Sequence, residues 1–241
     1  MNILLECKKM KKTGFYPAFI AGAILASCLP VINMAVRSEL FTGLQQSPLR
    51  ILLDENWTMM AMLNVLLIIS GACIMYHTEY ADNAAQKMQT LPIRESGIFF
   101  AKFILMIGMS IVVLATEAIT FLFCSLHWFH TYDGLYTDLL KNFGYFFILL
   151  LPVVLLSLAI SSAYSNMWIS LGIGVVCVFA ATMIASTNHF VLQIFPFALP
   201  LQVLTEATDK TVSQFLTASV LELLVIGIAE LSFLRIRRAL V

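Results

Sequence analysis

The sequence predicts an all-α membrane protein of about six transmembrane helices, and composition and charge spacing are the two observations behind this prediction. Of 241 residues, 60% are hydrophobic and only 12% are charged, whereas soluble domains are about half apolar and a quarter charged. So few charges cannot cover a surface that faces water. The charges also leave stretches of about 20 apolar residues, the length of helix that crosses a bilayer core. A formal net charge of zero argues against a nucleic-acid-binding protein, whose binding face is basic.

The N-terminal segment is basic and amphipathic. Ile3, Leu4 and Cys7 share one side at helical spacing, while the lysines lie mostly elsewhere. We therefore predict a short interfacial helix within residues 1–14, on the inner leaflet, with its lysines at anionic headgroups. The alternative is an unstructured basic flank that only fixes the orientation. The apolar segment that follows is too long for the core of a cleaved signal peptide, so it predicts a first span that is retained.

Charge-free segments define the spans. No Asp, Glu, Lys or Arg occurs between Lys12 and Arg37 or in residues 56–78, and only Glu117 interrupts the third apolar segment. Residues 142–205 carry no charge either, and this stretch is too long for one span and accommodates two. The predicted spans are residues 15–36, 57–78, 103–128, 142–161, 167–186 and 213–234.

Residues 187–204 precede the last span and contain Pro196 and Pro200. Two prolines four residues apart oppose a continuous helix, because each lacks a backbone donor and clashes with the preceding turn. We therefore predict an interfacial or re-entrant segment here. Six spans place both termini on one side of the membrane. Of the 14 Lys and Arg residues, ten by our count lie on the side of the termini, which assigns that side to the cytoplasm.

Three carboxylates lie within predicted spans, namely Glu117, Glu222 and Glu230. A charge at mid-bilayer costs about 2.5–3.5 kcal/mol on insertion scales, so such groups normally face other helices or a watery cavity. One interpretation is a path for a substrate or proton. The other is interhelical hydrogen bonding or, for Glu230, extension toward Arg235 and the headgroups.

Small residues recur every four positions in the first span, at Ala18, Gly22 and Ala26. Small side chains at this spacing let two helices approach closely. The pattern therefore predicts a packing face without identifying the helix that it meets.

The sequence offers no catalytic, cofactor-binding or metal-binding constellation. A phosphate-binding loop requires Gly-x-x-x-x-Gly-Lys-Ser/Thr, and neither Lys12-Thr13 nor Lys210-Thr211 has a glycine before the lysine. His-Glu-x-x-His and Gly-x-Ser-x-Gly are also missing from the sequence. We therefore expect a protein that is not an enzyme.

The loop between the second and third spans, residues 79–102, mixes charged and apolar residues. Good helix formers occupy residues 82–88, and Pro92 ends the run. This mixture predicts a short helix that lies across the membrane face and docks into a soluble partner, and the alternative is a solvated turn. The predicted docking residues are Glu79, Tyr80, Asp82, Lys87, Met88, Leu91, Pro92 and Arg94.

The six-span layout, this loop and the proline-containing segment resemble ABC-2-type permeases, and most of all the small permeases of lantibiotic self-immunity transporters. The loop is the most specific part, with an acidic residue, a short helix, Leu91-Pro92 and then Lys102 opening the next span. One departure is Asn83-Ala84-Ala85, where the family often has Gly-Thr.

The resemblance implies a multi-pass subunit of the bacterial plasma membrane that holds no cofactor itself. A separate ABC ATPase, with its own ATP and Mg²⁺, is expected to dock on residues 79–94, and a second permease, identical or different, is expected beside this chain. The implied cargo is an amphipathic peptide such as a lantibiotic. The alternative is a proton-coupled secondary transporter that uses the intramembrane carboxylates. Broken helices in both halves would favour that alternative, and the sequence has one candidate break, at residues 195–200.

Overall fold

The structure is a computed structural model that describes residues 3–44, 46–81, 95–129, 132–185, 194–204 and 208–239. Within these ranges the chain is all-helical, and a 3-10 helix, Pro196–Leu201, precedes the last α-helix. The α-helices are α1 (Ile3–Met10), α2 (Phe15–Thr42), α3 (Pro48–Tyr80), α4 (Glu95–Trp128), α5 (Leu135–Ala163), α6 (Met167–Ala185) and α7 (Asp209–Ala239).

Within the described ranges, α2 to α7 are the six helices long and apolar enough to cross a membrane. The predicted all-α fold with about six spans is therefore confirmed. Several helices are longer than the predicted spans: α3 has 33 residues, or about 50 Å at 1.5 Å per residue. This length exceeds a hydrocarbon core of about 30 Å, so an ion pair such as Arg50–Asp54, at 3.6 Å, lies on helix that extends beyond the core.

Two glycines and one arginine mark changes of chain direction. Gly14, with φ 78°, separates α1 from α2, and Gly134, with φ 106°, precedes α5. Both have the left-handed backbone conformation that glycine adopts without a steric penalty. Within α2, Arg37 has non-helical angles (φ −127°, ψ 25°), so the helix changes course directly after the predicted end of the first span at residue 36.

The centre of the bundle is formed by α3 and α5. Helix α3 packs against α2, α4, α5 and α6, while α5 also packs against α4 and α7. Aromatic side chains fill part of this core: the ring centroids of Trp57 and Phe146 are 4.6 Å apart, and those of Phe121 and Phe143 are 5.6 Å apart. Such tilted and edge-to-face pairs stabilise the core beyond their buried area.

The 3-10 helix Pro196–Leu201 is buried along its whole length and packs against α3, α5, α6 and α7. The indole Nε1–H of Trp57 donates to the Pro200 carbonyl oxygen at 3.2 Å. Within the described residues 194–204, the proline-containing segment thus forms a buried 3-10 helix beside the spans and not a seventh span. Residues 187–193 of the predicted interfacial or re-entrant segment lie outside the described part of the chain.

Helix α1 lies where α3 ends and α4 begins. Leu4 is 73% exposed and Ile3 is 39% exposed, so an apolar face is free to contact lipid, whereas Glu6 and Met10 are buried and α1 packs against α4. We call this end of the bundle, where α3 ends at Tyr80 and α4 begins at Glu95, the loop end. Its cytoplasmic location stays a prediction.

Candidate functional site

Four charged side chains from three helices meet at the loop end. Lys102 Nζ of α4 lies 3.3 Å from Glu6 Oε2 of α1 and 2.9 Å from Glu79 Oε1 of α3. Lys9 Nζ of α1 lies 2.9 Å from Glu6 Oε1 and 3.3 Å from Glu79 Oε1. We call this neutral group of two lysines and two glutamates the charge quartet.

Burial makes the charge quartet energetically demanding. The Lys102 side chain is fully buried and those of Glu6 and Glu79 are 1% and 9% exposed. A buried charge without a partner costs several kcal/mol. Lys102 has further partners, since its Nζ donates to the Met75 carbonyl oxygen at 3.3 Å and lies 5.0 Å from the centroid of the Tyr76 ring.

Lys9 is the most exposed member of the charge quartet, at 41% of its side chain. Partial burial by itself lowers the pKa of Lys9, but the hydrogen bond to Glu6 and the charge of Glu79 outweigh burial and raise that pKa above its ordinary value. Lys9 is therefore protonated at neutral pH, which is the charge state that balances the two glutamates.

A second polar group, which we call the arginine cluster, lies at the same end of the bundle. Arg237 Nη1 of α7 donates to the Ser162 carbonyl oxygen at 3.0 Å and to the Tyr80 hydroxyl oxygen at 3.3 Å. The Tyr80 hydroxyl also donates to the Ser162 carbonyl oxygen. Arg237 Nε lies 3.8 Å from Glu95 Oε2, and the Ser162 hydroxyl donates to Glu230 Oε1 at 2.7 Å.

Both groups surround the two ends of one loop. Glu79 and Tyr80 are the last residues of α3, and α4 begins at Glu95 with Lys102 two turns later. The charge quartet joins these helix ends to α1, and the arginine cluster joins them to α5 and α7. The end of α3 and the start of α4 are thus each bonded to α1 through the charge quartet and to α7 through Arg237.

Most of the predicted docking residues lie outside the described part of the chain, and their docking role stays a prediction. Among the predicted set, Glu79 and Tyr80 are described, and each belongs to one of the two groups above. The residues outside the description are Asp82, Lys87, Met88, Leu91, Pro92 and Arg94.

The intramembrane carboxylates have different surroundings. Glu117 is fully buried, and Asn64 Nδ2 of α3 lies 2.8 and 3.1 Å from its two oxygens. Glu230 is hydrogen-bonded to Ser162 of α5. Both contacts are interhelical hydrogen bonds, which is the structural interpretation of these carboxylates given above, beside that of a path for a substrate or proton. Glu222 is half-buried, and neither carboxylate oxygen has a hydrogen-bond partner among the described residues.

The small residues of the first span lie near α3. A Cβ atom on Gly22 would lie 2.8 Å from the methyl carbons of Leu67, so the backbone of α2 approaches α3 closely at this point. Ala26 is buried and Ala18 is half-buried. The structure therefore identifies α3 as the helix that Gly22 meets.

An apolar groove of about 490 Å³ runs between α2 and α4. No charged side chain lines it, and its polar side chains carry hydroxyl or thiol groups. Its lining includes Phe19, Ala23, Ser27, Met109, Val113 and Thr116.

Sequence reasoning did not assign an individual role to Glu6, Asn64 or Arg237. It placed the N-terminal lysines, Lys9 among them, at anionic headgroups, and it noted Lys102 only as the opening of a span. The signal for Lys102 is a single cation within an apolar helix, since the next charge along the chain is Glu117. A charge in such a setting requires a partner. Helical spacing does not identify that partner, because Glu6 is 96 residues away in the sequence.

No group of His, Cys, Asp or Glu suited to a metal ion occurs among the residues described. The fold and the site together define a multi-pass helical membrane protein with buried charge pairs at the ends of one inter-helix loop. The sequence model of the family described as "ABC-2 family transporter protein" matches residues 2–181, which include α1 to α5 and most of α6. The chain therefore belongs to this family, and the predicted ABC-2 relationship is confirmed. Such a protein is the membrane component of a transporter and is not itself catalytic. No curated protein and no solved structure matches the chain.

Proposed function

We propose that this chain is the permease subunit of an ABC exporter and that a separate ATPase drives it by docking on residues 79–102 at the cytoplasmic membrane face. Membership of the ABC-2 transporter family supports a transport role and, in general, an ABC ATPase partner. The observation that carries the proposal is the charge quartet, because it joins both ends of this loop to a third helix through buried ion pairs.

The charge quartet suits a loop that receives force. Buried ion pairs hold a defined geometry, because a separated charge in an apolar surrounding is costly. An ATPase that displaces the loop would therefore move the ends of α3 and α4 together with α1. Since α3 packs against four other spans, its displacement would shift the bundle between two packing arrangements.

We propose an amphipathic peptide such as a lantibiotic as the cargo, removed from the bacterial plasma membrane by this permease paired with a second, identical or related permease. The resemblance to the small self-immunity permeases supports this cargo. The apolar groove between α2 and α4, lined without charges, is compatible with an apolar face of such a peptide.

Co-purification with an ATPase tests the docking role of the loop. Each ABC ATPase from the source organism is co-expressed in turn with the wild type, with Leu91→Asp and with Leu140→Asp. Leu140→Asp is a matched change at an exposed position near the start of α5, far from the loop end. We expect Leu91→Asp to lose the ATPase and Leu140→Asp to retain it. Full recruitment by a folded Leu91→Asp protein would contradict docking through this loop.

Survival of sensitive cells tests the cargo. Cells that produce the permease and its ATPase are exposed to a purified lantibiotic, beside cells with an ATPase that cannot hydrolyse ATP. We expect protection only with the active ATPase. Equal sensitivity of the two strains toward a panel of lantibiotics would remove this cargo class and leave the ATPase interaction to be judged by co-purification.

A further inference from the structure

Helix α7 is the most peripheral span, and Arg237 is where it meets the loop ends. Only 11% of its most apolar window is buried, and it packs against α5, the 3-10 helix and α4. Large apolar side chains such as Leu221, Val225 and Ile228 are more than half exposed. Specific polar contacts between α7 and the loop ends come from the arginine cluster.

We propose that Arg237 is the positioning residue that couples α7 to the loop, so that α7 moves when the loop ends move. This inference rests on the proposed function, because it takes the loop to be the element that the ATPase displaces. Movement of the loop ends would then be transmitted to α7 through Arg237, separately from its transmission to α1 through the charge quartet.

The geometry of the guanidinium group supports this role. Arg237 faces Tyr80 at the end of α3, Glu95 at the start of α4 and the Ser162 carbonyl oxygen near the end of α5. A guanidinium group has five N–H donors in a fixed planar fork, so one side chain can hold partners in several directions. A lysine at this position would keep a charge for Glu95 but not the fixed fork.

Ser162 is held by α7 at two points. Its hydroxyl donates to Glu230, and its carbonyl oxygen accepts from Arg237. Glu230 and Arg237 are seven residues apart and therefore lie on one face of the helix. This double attachment makes the ends of α5 and α7 one unit, and the contacts of Arg237 with Tyr80 and Glu95 connect that unit to the loop.

Hydrogen–deuterium exchange in the complete complex tests the inference. The permease–ATPase complex is compared without nucleotide and with ATP plus vanadate, in the wild type, Arg237→Ala, Arg237→Lys and Arg235→Ala. Arg235 is exposed and lies on the same helix, so its removal is a matched control for loss of one positive charge. Two segments are monitored, residues 76–81 at the end of α3 and residues 230–239 of α7.

We expect nucleotide to change exchange in both segments of the wild type and of Arg235→Ala. In Arg237→Ala the change in residues 230–239 is lost while that in residues 76–81 persists, and Arg237→Lys is intermediate. A merely structural role of Arg237 would alter exchange equally with and without nucleotide and leave the nucleotide-dependent difference intact.

Two results overturn the inference. Persistence of the nucleotide-dependent change in α7 of Arg237→Ala would show that α7 is coupled by another route. A wild type whose loop ends respond while α7 does not would show that α7 is not an output of the loop. If neither segment of the wild type responds, the proposed function itself fails, and the inference fails with it.

Discussion

Removing the buried cation Lys102 is the sharpest test of the charge quartet. Lys102→Met keeps the volume of the side chain roughly unchanged and leaves Glu6 and Glu79 with Lys9 alone. Breaking a buried pair by deleting one partner costs about 3–5 kcal/mol, because it leaves an uncompensated buried charge. Lys9→Met also leaves one buried negative charge unbalanced, but the deleted cation is 41% exposed, so water can replace part of its interaction and the cost should be smaller than for Lys102→Met.

A double substitution separates charge balance from lost packing. Lys102→Met combined with Glu79→Gln removes one charge of each sign and leaves Glu6 paired with Lys9 at 2.9 Å. The double variant should therefore be more stable than the sum of the two single changes predicts, by a coupling energy of about 0.5–3 kcal/mol for residues in one network.

Thermal unfolding of the purified permease in detergent ranks these variants. We expect Lys102→Met to unfold at the lowest temperature, Lys9→Met at a temperature between those of Lys102→Met and the wild type, and the double variant above Lys102→Met. Wild-type stability of Lys102→Met, or a double variant with merely additive loss, would refute the argument that the charge quartet is a coupled buried network.

Three further predictions concern other regions. Gly71→Ala places a Cβ atom 2.6 Å from an aromatic carbon of α2 and should lower the free energy of unfolding by about 1–3 kcal/mol. Gly108→Ala, whose Cβ would have nothing within 4 Å, is the control and should not lower the unfolding temperature. Glu117→Gln keeps an acceptor for Asn64, so ATP-driven export should persist; a proton-coupled transporter would lose transport driven by a pH gradient. Burial and a hydrogen bond to an α5 carboxylate raise the pKa of Tyr132 to about 12. The contribution of Tyr132 to folding stability should therefore be complete below about pH 10, its pKa in the unfolded chain, and should be lost as the pH rises toward 12. Thermal unfolding of the wild type and of Tyr132→Phe across this pH range measures the loss.

Composition and charge spacing were sufficient to predict the class of fold. The apolar segments match helices, because only helices and closed barrels satisfy backbone groups in lipid and a spanning strand needs about 9–11 residues rather than about 20. The prolines of residues 195–200 ruled out a seventh span for a local reason, the missing backbone donor. Helix ends do not follow from the predicted spans: α3 begins at Pro48, nine residues before the predicted span begins at residue 57, because a helix can continue beyond the apolar core where charges such as Arg50 are solvated.

The partners of the buried charges could not be predicted, because they are set by tertiary packing. Glu79 was selected from the sequence as a docking residue, and its described contacts are with Lys9 and Lys102. Glu6 received no role from the sequence, but it is 1% exposed and contacts both lysines of the charge quartet. Periodicity places residues on faces of one helix, and it contains no information on which helix a face will meet.

The redundancy of the charge quartet favours a joint over a fixed support. Each lysine contacts both glutamates, so any one of the four contacts can break without leaving a charge unpaired. An apolar cluster of similar volume is often at least as stable as a buried ion-pair network, and a rigid support would not need four charges. Partners that can be exchanged would keep α1, α3 and α4 connected while a docked ATPase displaces the loop ends, as the proposed function requires. Lys9 is 41% exposed, so water can replace one of its contacts at a lower cost, while the fully buried Lys102 holds both glutamates.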